Sequence, residues 1–166
     1  MAITYEPIST QTLVSGVATV TFSSIPATYT DLRFVVNAAL SAVASSSMRF
    51  NGDSAGNYSF TGFTGDGTSA TSYRLGSQTK GYYTYNAIQD TTFNGCSIID
   101  ILNYTNTTTA KTYISRANSQ SSYSAAEGIV GVWRATPAAI TSVEFRLDSG
   151  NYNTNSTFTL YGIKAA

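Results

Sequence analysis

The sequence has no histidine, one cysteine, three prolines and only 11% charged residues. Each shortage closes off a class of chemistry. Without histidine there can be no Ser-His-Asp or Cys-His nucleophile. A histidine-based zinc site is excluded too, and one cysteine cannot replace it. Cys96 has no partner for an internal disulfide. Its neighbours, Gly95 and Ser97-Ile98-Ile99, make it read as a small buried residue at a strand start. No apolar run approaches the roughly 20 residues that span a bilayer, so no membrane partner is expected. The opening Met1-Ala2-Ile3-Thr4-Tyr5-Glu6-Pro7 has neither a basic nor an apolar leader region, and no secretory signal is read there. Asn-x-Ser/Thr matches at Asn57, Asn103, Asn106 and Asn155 are read as chance in so hydroxyl-rich a chain.

The little charge present is balanced, nine basic against nine acidic residues. Attraction to nucleic acid wants clustered Lys and Arg. Here Arg33, Arg49, Arg74, Lys80, Lys111, Arg116 and Arg134 are spread along the chain and are expected to pair locally, so no nucleic-acid partner is expected.

Serine and threonine fill the gap, 47 residues together, with 13 Gly and 12 Tyr. Helices recruit Glu, Lys, Arg, Ala and Leu on their wet faces, whereas strands and turns use Thr, Tyr, Val, Ser, Gly and Asn. The composition therefore argues for an all-β protein. Its 166 residues suit one domain, spanning 1–166, large enough to bury a real core.

Alternation carries the same message. In Ser142–Leu147, Val143, Phe145 and Leu147 share one face and Glu144 and Arg146 the other. After a polar loop, Thr157–Lys164 turns Phe158 and Leu160 inward. Leu32, Phe34 and Val36 alternate with Asp31, Arg33 and Asn37 in the clearest long strand. Met1–Ile8 is expected as an edge strand or arm, because Pro7 cannot donate to a ladder. Ala38–Ser47 is read as a strand end plus loop, Met48–Asn51 as a strand, and Asn51-Gly52-Asp53 as a turn. Tyr73–Lys80 and Gly81–Tyr85 read either as strands or as a long excursion. Ser97–Tyr104, apolar but for Asp100, suits a strand buried on both faces. Lys111–Ala117 pairs back as a hairpin, and Gly128–Arg134 follows. Nine to eleven short strands with no helix fit a sandwich or a barrel. Eight main strands in two Greek keys with extra edge strands make a jelly-roll-like antiparallel β-sandwich.

Several phrases resemble small β-sandwich structural proteins of tailed bacteriophages. They are Ile25-Pro26-Ala27-Thr28-Tyr29-Thr30-Asp31-Leu32; Met48-Arg49-Phe50-Asn51-Gly52-Asp53 with Asn57-Tyr58-Ser59; Ile101-Leu102-Asn103-Tyr104; Gly131-Val132-Trp133 with Ile140-Thr141-Ser142-Val143; and the ending Phe158–Ile163. The resemblance implies a non-enzymatic jelly-roll subunit, commonly a homotrimer, on the virion. Such proteins serve as capsid decoration (cement) subunits or as tail-tip and fibre modules. The implied partners are further copies of the chain and the major capsid protein or other virion proteins; in a fibre role, a host glycan. The implied location is the virion, after synthesis in the host cytoplasm. The long fibrous stalk that often precedes a fibre head is not seen here, which favours decoration.

The resemblance transfers no catalytic residue, and the residues suggest none. Asp53, Asp66, Asp90, Glu127 and Asp148 are the carboxylates that could in principle form a glycosidase pair, but all except Glu127 sit in turn-forming Asn, Gly and Ser contexts. Asn51-Gly52-Asp53 and Gly65-Asp66-Gly67 are the best oxygen sets for calcium, yet neither has an EF-hand spacing. No catalytic residue, metal or cofactor is expected. The aromatic group Tyr58, Phe60, Phe63, Tyr73, Tyr82, Tyr83 and Tyr85 is the candidate contact surface, for subunit packing or sugar stacking, if it does not instead fill the interior and rim.

Overall fold

The computed structural model describes residues 5–89, 91, 93–119 and 125–164, with the side chains of 86–89 and 119 left aside. Among the described residues twelve strands are formed and no helix. The first six are β1 (Tyr5–Thr12), β2 (Thr19–Phe22), β3 (Asp31–Ala38), β4 (Ala44–Phe50), β5 (Tyr58–Gly65) and β6 (Ala70–Gln78). The rest are β7 (Gly81–Gln89), β8 (Gly95–Ile101), β9 (Lys111–Ser119), β10 (Ala125–Trp133), β11 (Val143–Leu147) and β12 (Thr157–Ile163).

They lie in two antiparallel sheets. The large one runs β1-β12-β3-β8-β9-β10-β5-β6 and the small one β2-β11-β4-β7. Setting aside the hairpins β5–β6 and β9–β10 leaves eight strands that alternate between the sheets along the chain, except that β4 and β7 follow one another in the small sheet and pair there. Their orders, β1-β12-β3-β8 and β2-β11-β4-β7, are those of a jelly roll built from two Greek keys. The hairpins extend only the large sheet, on the β8 side, and β10 pairs with β5 across a long stretch of sequence.

Burial follows the alternation. Leu32, Phe34 and Val36 of β3, Ile99 and Ile101 of β8, and Phe158 and Leu160 of β12 point into the core, where Val20, Phe22, Val143 and Phe145 meet them from the small sheet. Phe145 is the hub: its ring lies 5.0 Å from Phe34, 5.5 Å from Phe158 and 5.6 Å from Tyr83, centroid to centroid. Each such buried ring contributes on the order of 2–3 kcal/mol by leaving water. β11 and β12 are thus not a hydrogen-bonded pair but face each other across the core. Tyr83 and Tyr152, both fully buried, satisfy each other's hydroxyls at 3.0 Å.

Local chemistry sets the corners. Asn51 and Gly52 both take positive φ, 52° and 71°, and the Asp53 amide closes on the Phe50 carbonyl at 2.9 Å, so this Asn-Gly pair makes the expected tight turn. Pro7 sits on edge strand β1, next to a break in register before Ser9.

Some expectations are corrected. β4 begins at Ala44, so Ser45, Ser46 and Ser47 belong to a strand; the small buried serines accommodate two irregularities in its pairing with β7. Of the two readings left open for Tyr73–Lys80 and Gly81–Tyr85 the strand holds: they lie in β6, which ends at Gln78, and in β7. β8 is dry on one face only: Ile99 and Ile101 are buried, while Ile98 and Asp100 on the outer face are half-buried. Cys96 is exposed, not buried. It shares the outward phase of Ile98 and Asp100, and Ser97 takes the inward place beside it.

Candidate functional site

The aromatic group singled out in the sequence is brought together, but mostly inward. Tyr58, Phe60, Tyr82 and Tyr83 are buried. Phe60 lies 6.3, 5.3 and 5.6 Å from Tyr73, Tyr82 and Tyr85, forming one cluster where β5 and β6 meet β7. Tyr58 belongs to another cluster, with Phe50 and Trp133. Tyr73 and Tyr85 are half-buried rim residues, and Phe63 alone of the seven is well exposed, at 66%. The reason is β7. Its consecutive Tyr82, Tyr83 and Thr84 are all buried because the widened large sheet closes over it: the Tyr113 hydroxyl donates to the Tyr82 carbonyl at 3.0 Å and Ser115 Oγ to that of Tyr83 at 2.9 Å. Burial therefore removes Tyr58, Phe60, Tyr82 and Tyr83 from any contact surface and leaves Phe63.

The carboxylates are committed to structure. Asp53 accepts from Trp133 Nε1 at 2.6 Å, Asn57 Nδ2 at 2.9 Å and the Ala55 amide at 2.9 Å. Burial works to raise its pKa, but these donors outweigh it and hold the carboxyl below its usual range. Asp66 caps the Thr68 and Ser69 amides, which lower its pKa in the same way. Glu127 is buried beneath the aromatic cluster, accepting from the Tyr73 hydroxyl and from the Tyr85 amide at 2.8 Å. Asp148 pairs with Lys80 and accepts from the Tyr82 hydroxyl. Asp90 lies outside the described residues. The two calcium candidates are spent as turns, with Asn51 Oδ1 taken by the Thr141 and Ser142 amides. Among the described residues no three His, Cys, Asp or Glu side chains gather as a metal site.

What the surface offers lies on the outer face of the large sheet. One row of directly paired residues crosses all eight strands: Pro7, Tyr161, Arg33, Asp100, Ile114, Val130, Thr61 and Arg74. Arg33 and Asp100 form a two-point ion pair at 2.5 and 2.8 Å. Beyond them the row turns apolar, with Ile114 46% and Val130 54% exposed. One row along, Phe63 pairs with Gly128 and Gly128 with Arg116. The Phe63 ring reaches into the space above Gly128, where a β-carbon would come within 2.5 Å of Cζ.

Beside this ledge the face is concave. A groove of about 660 Å³ is lined by Val130 and Val132, by the hydroxyls of Ser59, Thr61 and Thr112, and by Arg74 and Arg134. Of the seven basic residues expected to pair locally, Arg33 and Lys80 form ion pairs, as do Arg146 and Lys164 outside that set. The guanidinium groups of Arg74, Arg116 and Arg134 form neither ion pair nor hydrogen bond among the described residues. The strand phase of each was readable: Arg116 and Ile114 oppose buried Tyr113 and Ser115, and Phe63 opposes Phe60. Their convergence depends on the β5–β10 register, for which the sequence has no local signal.

No protein-family model matches the chain, and no curated protein matches it. Among solved structures it is similar to the CBM2 module of the evolved Dit of Lactobacillus casei BL23 phage J-1. That likeness covers 89% of this chain and 69% of the other at 7% identity, with a TM-score of 0.21. At that level it decides neither fold nor ligand.

Proposed function

We propose that the chain is a non-enzymatic structural subunit of a tailed-phage particle, a homotrimer that decorates the capsid and braces neighbouring shell subunits. The observation that supports this is the strand order, β1-β12-β3-β8 over β2-β11-β4-β7, because jelly rolls recur in viral capsid and lectin domains. The phrases that resemble phage structural proteins fall on corners and strand ends of this fold, except the last, Phe158–Ile163, which makes up most of β12. The committed carboxylates fit a structural role. Adhesion comes from exposed apolar side chains and many neutral hydroxyl and amide bonds, each weak, and multiplied by simultaneous engagement of several shell subunits.

A second reading has its own observation. Phe63 and the arginine-lined groove suit a recognition module of the tail or fibre that binds carbohydrate. Cryo-electron microscopy of particles carrying this chain separates the two. Density at three-fold or quasi-three-fold positions of the shell is the expected result. Density at the tail tip replaces decoration with recognition, and absence from the particle overturns both.

A further inference from the structure

We infer that the groove between Arg74 and Arg134, with the Phe63 ledge beside it, is a binding site for an acidic polysaccharide. Charge is the first argument. The chain is neutral overall, yet Arg74, Arg116 and Arg134 stand on one face of one sheet without a described partner. The carboxylates that would balance them are held elsewhere: Asp100 by Arg33, Asp148 by Lys80, Glu144 by Arg146 and Glu6 by Lys164. Planar guanidinium groups that are not neutralised are suited to carboxylate or sulfate oxygens, which they bind in two-point fashion.

Shape and lining choose the sugar over an acidic protein segment. At about 660 Å³ the groove is the size of a small-ligand site rather than a flat protein interface. Its hydroxyls, from Ser59, Thr61 and Thr112, match the alternating donors and acceptors of a sugar chain. Phe63 supplies an exposed aromatic face in the next row, supported from below by a residue with no side chain. An aromatic ledge beside cations accommodates a ring that is apolar on one face and anionic at its edge.

This inference gives the recognition reading a ligand. It is tested on the purified chain, so its failure leaves the question of location on the particle untouched. Binding is measured by calorimetry at low and physiological salt against polygalacturonate, heparin, neutral dextran and poly-L-glutamate. The expected result is binding to polygalacturonate, heparin or both, none to dextran, and weakening with salt. Polygalacturonate alone would mark a carboxylate ligand, heparin alone a sulfate. Arg74→Gln with Arg134→Gln, and separately Phe63→Ser, should each weaken it by about tenfold, the effect of losing a charged hydrogen bond or a stacked ring. Arg49→Gln, which removes the same charge from the small sheet, should leave it unchanged. Binding to neither acidic polysaccharide overturns the inference, as does binding indifferent to the groove variants. Poly-L-glutamate bound as tightly, with no loss in Phe63→Ser, would overturn it in favour of an acidic protein partner.

Discussion

Gly131 and Gly128 lie on the same strand, and each is covered by an aromatic ring from the residue paired with it across the sheet. A β-carbon on Gly131 would stand 2.0 Å from the Tyr113 ring, and one on Gly128 2.5 Å from that of Phe63. The consequences differ, because Tyr113 is fully buried and tethered through its hydroxyl to Tyr82, whereas Phe63 can swing into solvent. Gly131→Ala should destabilise by about 3 kcal/mol, as overpacking of a fixed interior does. Gly128→Ala should range from neutral to about 1 kcal/mol stabilising, because alanine restricts the unfolded chain. Urea denaturation of the two variants checks this, and equal losses would contradict it. These ring-over-glycine pairs were not legible beforehand. Strand phase tells which way a residue points, but not which residue lies beside it.

At the scale of elements, the inserted hairpins are held unequally. β9 lies between β8 and β10 and reaches across the sandwich to β7 through Tyr113 and Ser115. β6 is an edge strand paired only with β5, and Ala70, Thr71 and Ser72 at its start are exposed. Amide exchange should therefore be fast along β6 and slow in β3, β8 and β9, which open only with the whole domain. Protection in β6 equal to that in β8 would sink this ordering, or show the edge to be covered by another subunit. The elements themselves were largely readable, since β3, β11 and β12 alternate cleanly. The rule failed where a strand is enclosed on both sides, as at Tyr82-Tyr83-Thr84. It failed also where the apolar run of β8 hid an outward phase, which put Cys96 on the surface. The candidate site was legible in part: the sequence groups Phe63 with six other aromatics, and only the fold separates it from them.

For the molecule as a whole, the tyrosine content sets the response to alkali. The phenols of Tyr58, Tyr83, Tyr113 and Tyr152 are all held above the ordinary tyrosine range, chiefly by burial, that of Tyr83 at about 12. A group whose pKa is raised by folding stabilises the native state fully below its unfolded value, about 10, and loses that contribution as pH climbs through the folded one. The melting temperature should thus stay level up to about pH 10 and then fall steeply. Phenolate absorbance should lag behind that of free tyrosine until the protein unfolds. Complete titration near pH 10 with the fold intact would refute it. On the acid side the sign reverses. The lowered pKa of Asp53 gives stability above its unfolded value of about 3.9 that is lost as pH falls through the folded one. Asp53→Asn should flatten that limb of the melting curve.

The pairing of β1 with β12 brings Tyr5 opposite Ile163. Tension applied at these two points would not shear the ladder but peel it, so that its bonds break one after another and never share the load. The sandwich is therefore mechanically weak when pulled between Tyr5 and Ile163. A domain of this design is unfit to serve as a link in a chain under strain applied at Tyr5 and Ile163.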